Sequence, residues 1–290
     1  MTTGARPFFD AMAESYDDLE PWYDHLYAVL HRLVRAELRP PPGAPRLRAL
    51  DAGCGTGFQT AILLELGYAA MGLDISSGLL RAARPRCRDA GLVQGDIEAL
   101  PYRDGTMDVV ISCGSTLSFV TRPERAFAEM ARVLRPGGRL LFEVEHRWSL
   151  DLAWRLASSL AGDPLGYGAA PREARRAFAA PLGDSIAMDY PGYPRLRLFT
   201  RSALHRLLDA HGLTRVRSWG VHGITNVIPS PVLHRATLGR ATGALYRGLC
   251  AVDRALAATR AGRALANSLV VLAVKGERRA PAPTSRQAAR

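Results

Sequence analysis

The sequence contains almost no lysine, and this limits what its positive charge can mean. Lys275 is the only lysine, so arginine supplies nearly all of the 38 basic side chains, which outweigh 27 acidic ones and give a formal net charge of +11. An arginine bias in a chain rich in alanine, leucine and glycine can follow from coding composition as easily as from a polyanionic partner. The charge alone therefore predicts neither nucleic-acid binding nor membrane binding.

Cysteine is also scarce. The four cysteines, Cys54, Cys87, Cys113 and Cys250, form neither a C-x-x-C pair nor a Cys/His pattern with metal-ligand spacing. This argues against a zinc site and a disulfide scaffold, and it favours a reducing cytoplasm. We therefore expect no metal.

Long apolar runs are missing as well. The most apolar stretch, "LANSLVVLAV" at 265–274, is too short to span a bilayer. The N-terminus carries acidic residues where a secretion signal needs an apolar run. We expect a soluble protein of the cytoplasm.

The chain does contain a regular alternation of strand-like and helix-like segments between residues 46 and 145. Apolar residues at helical spacing from Pro21 to Leu38 predict a helix before it, which "RPPPGAP" ends. Strands that alternate with helices form a parallel sheet covered by helices on both faces. The core is therefore predicted to be a doubly wound α/β fold.

The alternation breaks after His146, where a stretch rich in proline, glycine, tyrosine and arginine precedes the next clear helix at 201–212. A strand and then a mainly helical stretch follow, and the chain ends in a Pro/Ala/Arg-rich tail that we expect to be disordered. The predicted division is an N-terminal helical cap at 1–45, a core at 46–276 with helical lid insertions at about 147–200 and 221–267, and a tail at 277–290.

The stretch "LDAGCGTGFQT", at 50–60, places three glycines at alternate positions after a short apolar run. A dinucleotide fold uses the spacing G-x-G-x-x-G instead, with a pyrophosphate at the helix N-terminus. Acidic residues end the first three strands: Asp51, Asp74 and Asp96. They would repel a diphosphate but suit a cationic ligand, which disfavours a nicotinamide dehydrogenase.

Four motifs together resemble the class I S-adenosylmethionine-dependent methyltransferases, and most closely their type 11 domains. The motifs are "LDAGCGTG", "GLDIS", "GDIEALPYRDGTMDVVIS" and "LRPGGRLL". The N-terminal "FFDAMAESYDD" also resembles the segment that opens many of these enzymes, including quinone methyltransferases. The resemblance implies a mostly parallel seven-stranded Rossmann-like sheet whose last strand is antiparallel. It also implies S-adenosylmethionine as methyl donor and S-adenosylhomocysteine as product.

The resemblance implies roles for particular residues. The loop from Asp51 to Gly57 would surround the methionine part, Asp74 would bind the ribose hydroxyls, and Tyr16 would close over the cofactor. A helix-capping role for Asp74 and simple packing of Tyr16 are the alternatives. The implied cofactor-binding residues are Tyr16, Asp51, Gly53, Cys54, Gly55, Gly57, Asp74, Ile75, Asp96, Ile97 and Cys113.

A sulfonium cofactor carries its own leaving group, so a general base is needed only for a hydroxyl or an acidic C–H acceptor. His146 directly follows a strand at the edge where doubly wound folds bind ligands, and it is the first candidate base. His222 is the second, and a purely structural contact is the alternative for both histidines. Glu143 and Glu145 share one face of their strand, where contact with substrate or with the cofactor amine is one interpretation and pairing with arginine is the favoured one.

Missing motifs disfavour nucleic acid as the acceptor. A single lysine cannot build the Lys-Asp-Lys-Glu tetrad of ribose methylation, and "SCGSTLSF" stands where amino-methylating enzymes carry Asn/Asp-Pro-Pro-Tyr/Phe. Aromatic residues of the insertions either line a closed pocket for a lipophilic molecule or form the core of the lid. They are Trp148, Trp154, Tyr167, Tyr190, Tyr193 and Phe199.

We predict methyl transfer to an oxygen or carbon atom of a small lipophilic acceptor such as a quinone, phenol or polyketide-like metabolite. A small-molecule N-methyltransferase and a non-catalytic, cofactor-binding regulatory protein are the alternatives. Arg240, Arg247 and Arg254 recur every seven residues on a predicted helix that also carries an apolar row. This pattern fits either a solvated face or peripheral contact with an anionic membrane.

Overall fold

The computed structural model describes residues 4–18, 21–168, 170–190, 192–235 and 237–277. Its strands are β1 (Arg48–Ala52), β2 (Ala69–Asp74), β3 (Gly91–Gln94), β4 (Met107–Ser112), β5 (Leu134–Glu145), β6 (Ile186–Met188), β7 (Leu196–Leu198), β8 (Leu213–Val221) and β9 (Ser268–Lys275). Strands β6 and β7 form a separate antiparallel pair.

The other seven strands form one sheet in the order β3-β2-β1-β4-β5-β9-β8. Neighbours among β1 to β5 pair in parallel, whereas β9 runs antiparallel to both β5 and β8. This confirms the predicted mostly parallel, seven-stranded sheet with an antiparallel last strand.

Helices flank the sheet. They are α1 (Ala5–Ala11), α2 (Pro21–Glu37), α3 (Phe58–Glu65), α4 (Ser77–Ala83), α5 (Thr116–Phe119), α6 (Pro123–Val133), α7 (Leu150–Leu160), α8 (Pro171–Ala179), α9 (Arg201–Ala210), α10 (Ser230–Leu233), α11 (Arg240–Leu256) and α12 (Arg260–Leu265). A 3-10 turn spans Thr225–Val227. Within the described ranges, no helix is long and apolar enough to cross a membrane.

The central strands are apolar on both faces because helices cover both. On β4, Val110 packs into a core shared with Phe127 of α6, while its neighbour Val109 packs on the opposite side with Leu30 of α2. Successive strand residues point to opposite faces, so one short apolar run contributes to both cores. This arrangement holds the carboxyl ends of the parallel strands at a common edge.

The first insertion (147–200) contains helices, as predicted, and also a pair of strands that the sequence analysis did not predict. It holds α7, α8 and the β6–β7 pair before α9. The hydroxyl of Ser149 accepts a hydrogen bond from Leu152 N and so begins α7, and Pro171 begins α8. The frequent prolines and glycines of this segment lie around these short elements and concealed them.

The second insertion (221–267) is mainly helical, as predicted. Its helix α11 buries a row that differs from the apolar row seen in the sequence. The buried residues are Gly243, Tyr246, Cys250 and Asp253. Residue spacing shows that the helix has several faces, and only packing decides which one is covered. The tail predicted at 277–290 lies, apart from Glu277, outside the described residues.

Candidate active site

A cavity with about 600 Å³ of empty space, part of it open to solvent, lies where β1, β2, β3 and β4 end, at the carboxyl edge of the sheet. This is the edge at which doubly wound sheets bind ligands. The lining residues are Ala5, Phe9, Tyr16, Gly53, Gly55, Leu73, Asp74, Ile75, Leu79, Gly95, Asp96, Ile97, Gly114, Thr116, Phe119 and Val120.

The glycine loop after β1 is shaped by its lack of side chains. Gly53, Gly55 and Gly57 all have positive φ, at 87°, 52° and 86°. A Cβ at Gly53 would lie 2.3 Å from Cγ2 of Thr116, and one at Gly57 would lie 2.5 Å from Sγ of Cys87. Gly53 and Gly55 therefore expose backbone to the cavity, while Gly57 lies deeper at the start of α3.

Asp74 ends β2 and lines the cavity. Its Oδ2 accepts a hydrogen bond from Gly55 N at 2.8 Å, and its Oδ1 accepts one from Ser76 N at 2.8 Å. Burial raises the pKa of this carboxyl, and the two N–H donors oppose the rise. Each carboxylate oxygen can accept a further hydrogen bond, so Asp74 can still receive ligand hydroxyls.

The capping role that competed for Asp74 belongs to Ser76. The Ser76 hydroxyl accepts the hydrogen bond from Leu79 N that begins α4. Asp74 instead connects the end of β2 to the glycine loop.

Asp51 is not among the cavity-lining residues. It is buried, and Thr60 Oγ1 donates to its Oδ2 at 2.7 Å. Burial raises the pKa of Asp51 to about 7, against the lowering effect of the Thr60 hydroxyl. The residue supports the glycine loop from α3 rather than facing the cavity.

The segment at residues 4–18, the N-terminal lid, covers one side of the cavity. Ala5, Phe9 and Tyr16 contribute to the lining. Oδ1 of Asp10 accepts hydrogen bonds from Ser76 Oγ at 2.6 Å and from Gly78 N at 2.9 Å. Through these bonds α1 is held against α4, beside the end of β2.

The second half of the N-terminal lid is tied to the glycine loop. Asp17 accepts a hydrogen bond from Thr56 Oγ1 at 2.6 Å and pairs with Arg86 at 2.9 Å. A Cβ at Gly55 would lie 3.6 Å from the ring of Tyr16, so the tyrosine lies over the loop.

Seven of the eleven residues predicted to bind the cofactor line this cavity: Tyr16, Gly53, Gly55, Asp74, Ile75, Asp96 and Ile97. Four do not: Asp51, Cys54, Gly57 and Cys113. Both cysteines are buried, and burial raises their pKa values well above the ordinary range. They pack behind the strand ends.

The sequence reasoning missed Phe9, Thr116, Phe119 and Val120, all of which line the cavity. Phe9 lies in the N-terminal motif "FFDAMAESYDD", so that motif held a usable signal. The other three belong to α5 or follow it, just after Cys113, and the sequence analysis assigned them no contact with the cofactor.

His146 does not line the cavity. The ring is buried, and its Nδ1 donates to the carbonyl of Ala266 at 3.0 Å. Burial lowers the pKa of His146 to about 4. Its backbone N–H also donates to the carbonyl of Asn267, so the histidine makes a structural contact between the end of β5 and the segment before β9.

His222 is likewise fully buried away from the cavity lining. Its ring stacks on Trp22 at 3.7 Å, Nε2 donates to the carbonyl of Trp22, and Nδ1 accepts from the Thr225 hydroxyl. Burial lowers its pKa well below the usual range. The expected role of either histidine as a base therefore has no support in the geometry.

Glu143 and Glu145, the buried carboxyl pair, lie at the end of β5. The predicted pairing with arginine is wrong, because no salt bridge of the described residues involves either glutamate. Ser115 joins them instead: its N–H donates to Glu143 at 2.5 Å and its hydroxyl donates to Glu145 at 2.8 Å. Asn267 donates to the second oxygen of Glu145 at 2.6 Å.

Burial raises the pKa of both carboxyls, and for Glu145 the neighbouring charge of Glu143 adds to the rise, which reaches about 8. Two buried carboxyls without a cation bind protons as a coupled pair. Gly114 and Thr116, on either side of Ser115, both line the cavity. A proton-accepting group therefore lies one residue away from the cavity wall.

The aromatic residues of the first insertion do not line this cavity. The hydroxyl of Tyr167 donates to Asp151 at 2.7 Å, and the guanidinium of Arg155 stacks on Tyr190 at 3.7 Å. Phe199 is fully buried in the core. These contacts favour the interpretation that the aromatics hold the insertion together. In the part of the chain that is described, no group of three His, Cys, Asp or Glu side chains could hold a metal ion.

Known proteins resemble both the sequence and the fold. A family model described as a methyltransferase domain, of type 11, matches residues 50–142. A malonyl-[acyl-carrier protein] O-methyltransferase from Methylococcus capsulatus is 32% identical over 248 residues, which cover 82% of this chain and 84% of that protein. A demethylmenaquinone methyltransferase from Renibacterium salmoninarum is 36% identical over 138 residues, 46% of this chain and 57% of that protein.

A solved structure from Thermotoga maritima, described as a SAM-dependent methyltransferase and possible histamine N-methyltransferase, has a similar fold. It superposes with a TM-score of 0.54 at 19% identity and covers 93% of this chain and 99% of its own. At this identity the likeness concerns the fold alone. The long match to the Methylococcus protein carries the family assignment and confirms the predicted methyltransferase activity. This chain belongs to the class I S-adenosylmethionine-dependent methyltransferases, whose methyl donor is S-adenosylmethionine.

Proposed function

We propose that the cavity binds S-adenosylmethionine and that the acceptor is a small, lipophilic molecule methylated on an oxygen or carbon atom. The residues around the cavity fit the cofactor. Gly53 and Gly55 leave room for close backbone approach, and the carboxylates of Asp74 and Asp96 suit hydroxyls and a cationic ligand. When bound, the cofactor supplies a methyl group attached to a sulfonium sulfur, and the thioether that remains is the leaving group.

The residues of the chain would then bind, orient and exclude water. Asp74 would accept the ribose hydroxyls, Ile75 would pack on the adenine, and Asp96 with Ile97 would meet the adenine edge. Tyr16 and Phe9 of the N-terminal lid would shield the reacting groups from solvent, which strengthens the electrostatic interactions inside. Asp51, Gly57, Cys54 and Cys113 would support this site from behind.

The observation that favours an oxygen or carbon acceptor is the buried carboxyl pair. A hydroxyl or an acidic C–H loses a proton when it is methylated, and a carboxyl whose pKa burial raises to about 8 is, once ionised at mildly alkaline pH, a stronger base than an ordinary carboxylate. The proton would pass through the Ser115 hydroxyl to Glu145, since Ser115 is flanked by cavity-lining residues. In this proposal the base is Glu145 acting through Ser115, not His146 or His222.

The similar proteins support the class of acceptor. One is named as an O-methyltransferase and another as a demethylmenaquinone methyltransferase. A quinone, a phenol or a polyketide-like metabolite remains our proposal for this chain. We do not propose nucleic acid as the acceptor, because the motifs of nucleic-acid methylation are missing. The cap at 1–45 and the insertions at 147–200 and 221–267 would form the walls around the acceptor, and the enzyme would work in the cytoplasm.

The test is a transfer assay with methyl-labelled S-adenosylmethionine and three acceptor classes: hydroquinones, long-chain 1,3-dicarbonyl compounds and biogenic amines. We expect label in the first two classes. Transfer to the amines alone would establish the N-methyltransferase alternative. Binding of S-adenosylhomocysteine with no transfer to any class would favour the non-catalytic alternative.

A further inference from the structure

Helix α11 carries two exposed rows that its packing leaves free. Arg240, Arg247 and Arg254 are spaced by seven residues, so they lie on one side of the helix, and all three are exposed. An apolar row runs along another side: Leu245 is 56% exposed, Val252 is 47% exposed, and Leu249 and Leu256 are partly exposed. The outward face between the rows consists of small residues, Ala241, Ala244, Gly248, Ala251 and Ala255.

The buried face of α11 is firmly anchored, so these rows cannot turn inward. The hydroxyl of Tyr246 donates to the carbonyl of Pro21 at 3.0 Å. Asp253 accepts hydrogen bonds from the backbone of Gly223 and Ile224 and lies 3.0 Å from His25. The helix therefore presents its basic and apolar rows to whatever lies outside.

The charge on this surface has no counterpart within the described protein. No salt bridge of the described residues involves Arg240, Arg247 or Arg254. Asp253 is the only acidic residue of the helix, and it is buried on the opposite side. An anionic partner would be complementary, whereas a second copy of this chain, with its net charge of +11, would bring like charges together.

The exposed leucine and valine side chains distinguish between anionic partners. Phosphates of nucleic acid offer no apolar surface to Leu245 and Val252, whereas an anionic bilayer offers both charge and hydrocarbon. Arginine side chains reach the headgroups while keeping their stems on apolar surface. We propose that α11 docks the enzyme on anionic membranes, lying in the interface with its small-residue face toward the bilayer, so that the arginine row contacts lipid along one flank of the helix and the apolar row along the other.

The docking places the second insertion, which follows the carboxyl end of β8, against the lipid. Under the proposed function, a lipophilic acceptor would then reach the enzyme directly from the bilayer. The docking itself does not depend on that acceptor, so vesicle binding tests it without any activity measurement.

The test measures co-sedimentation of the full chain with two kinds of vesicle, phosphatidylcholine alone and equal parts of phosphatidylcholine and phosphatidylglycerol. We expect binding only to the anionic vesicles and loss of binding as salt is raised, because salt screens surface charge. Arg240→Gln, Arg247→Gln and Arg254→Gln together should weaken binding about a hundredfold, since each arginine near the surface contributes about fivefold. Leu245→Ser with Val252→Ser should also weaken it, by about tenfold.

The matched control replaces three exposed arginines near the opposite edge of the sheet, Arg84, Arg88 and Arg103, with glutamine. It removes the same charge and should leave vesicle binding within about twofold. Equal losses in the two triple variants would overturn the proposal by assigning the binding to overall charge. A second result would also overturn the proposal: wild type does not bind vesicles but forms a dimer by light scattering, and the α11 variants are monomeric.

Calorimetry with S-adenosylhomocysteine separates this proposal from the proposed function. The α11 variants should keep wild-type affinity for it and wild-type thermal unfolding. Failure of vesicle binding with intact cofactor binding would overturn the docking alone.

Discussion

Asp51 and Asp74 look alike in the sequence, but their surroundings differ. Both end apolar strands and both are buried. Asp74 lines the cavity between the glycine loop and α4, whereas Asp51 lies behind the loop with Thr60. Direct contact with the cofactor is therefore expected of Asp74 and a supporting role of Asp51.

We expect Asp74→Ala to weaken binding of S-adenosylhomocysteine roughly ten- to a hundredfold, because a hydrogen bond to a charged group contributes about 1.5–3 kcal/mol. Isothermal titration calorimetry measures the change. Asp89→Ala removes an exposed acidic residue before the start of β3, at the other end of the strands from Asp74, and should bind like wild type. Unchanged affinity in Asp74→Ala would remove the ribose-binding role.

Glu145 predicts a pH dependence of stability. Its pKa rises from 4.5 to about 8 on folding, chiefly because it is buried. Between these values the folded protein binds more protons than the unfolded chain, so the free energy of unfolding falls as pH rises. The Glu145→Gln variant has no ionisable group at this position, so its free energy of unfolding should depend less on pH. Urea unfolding at several pH values measures the difference.

Part of the slope should remain in Glu145→Gln, because burial raises the pKa of Asp51 to about 7 and gives the same sign. Asp51→Asn in the same background should flatten the slope further. Parallel stability curves for wild type and Glu145→Gln would contradict the raised pKa.

In the transfer assay, Glu145→Gln should lower kcat by about a hundredfold or more and remove the acid limb of the pH profile.

Among the elements, helix α1 depends for its position on hydrogen bonds near its C-terminal end. It has seven residues, of which only Ala5 is buried, and a helix this short is not stable alone. Its position over the cavity rests on Asp10 and, further along the N-terminal lid, on Asp17. The lid should therefore open more readily than the sheet beneath it unfolds.

We expect Asp10→Ala to accelerate hydrogen exchange in residues 5–11 without changing thermal unfolding of the whole protein. The substitution removes the acceptor for Ser76 Oγ and Gly78 N and leaves the core untouched. Asp18→Ala, an exposed change in the same segment, serves as the control. Exchange equally fast in both variants would show that Asp10 does not hold the lid.

At the scale of the whole molecule, Asp253 joins three distant parts of the chain. It lies 3.0 Å from His25 of α2 and accepts hydrogen bonds from His222 N and Gly223 N at the end of β8. Loss of the Asp253 carboxylate would therefore break the contacts of α11 with α2 and with the segment after β8 at the same time. Burial raises the pKa of Asp253, but the hydrogen bonds from His25 and Ile224 N, together with the nearby imidazoles of His25 and His222, outweigh it and hold the pKa below its usual value.

Asp253→Ala should lower the free energy of unfolding by about 3–5 kcal/mol, the usual cost of removing one partner of a buried pair. Urea unfolding at neutral pH measures it, and Asp209→Ala, an exposed change on α9, should cost under about 0.5 kcal/mol. A loss below about 1 kcal/mol would mean that the three elements hold together without this carboxylate.

Local patterns in the sequence predicted the core because its short-range physics is strong. Apolar runs of strand length, glycines at alternate positions and Ser76 as a helix cap each depend on a few neighbouring residues. Seven predicted cofactor residues reached the cavity because parallel strands bring their carboxyl ends to one edge. The individual elements of the first insertion escaped prediction because they are short and are held by contacts such as that of Tyr167 with Asp151.

The sequence by itself determined the fold class, the glycine loop and the methyl donor, since these follow from local spacing and from motifs read along the chain. Only the tertiary structure decided the roles of side chains whose partners are remote in sequence. It buried His146 and His222, joined Glu143 to Glu145 through Ser115, and left the apolar row of α11 in solvent. These roles depend on burial and on hydrogen bonds between residues that are remote in sequence, and neither can be predicted from the local spacing of residues.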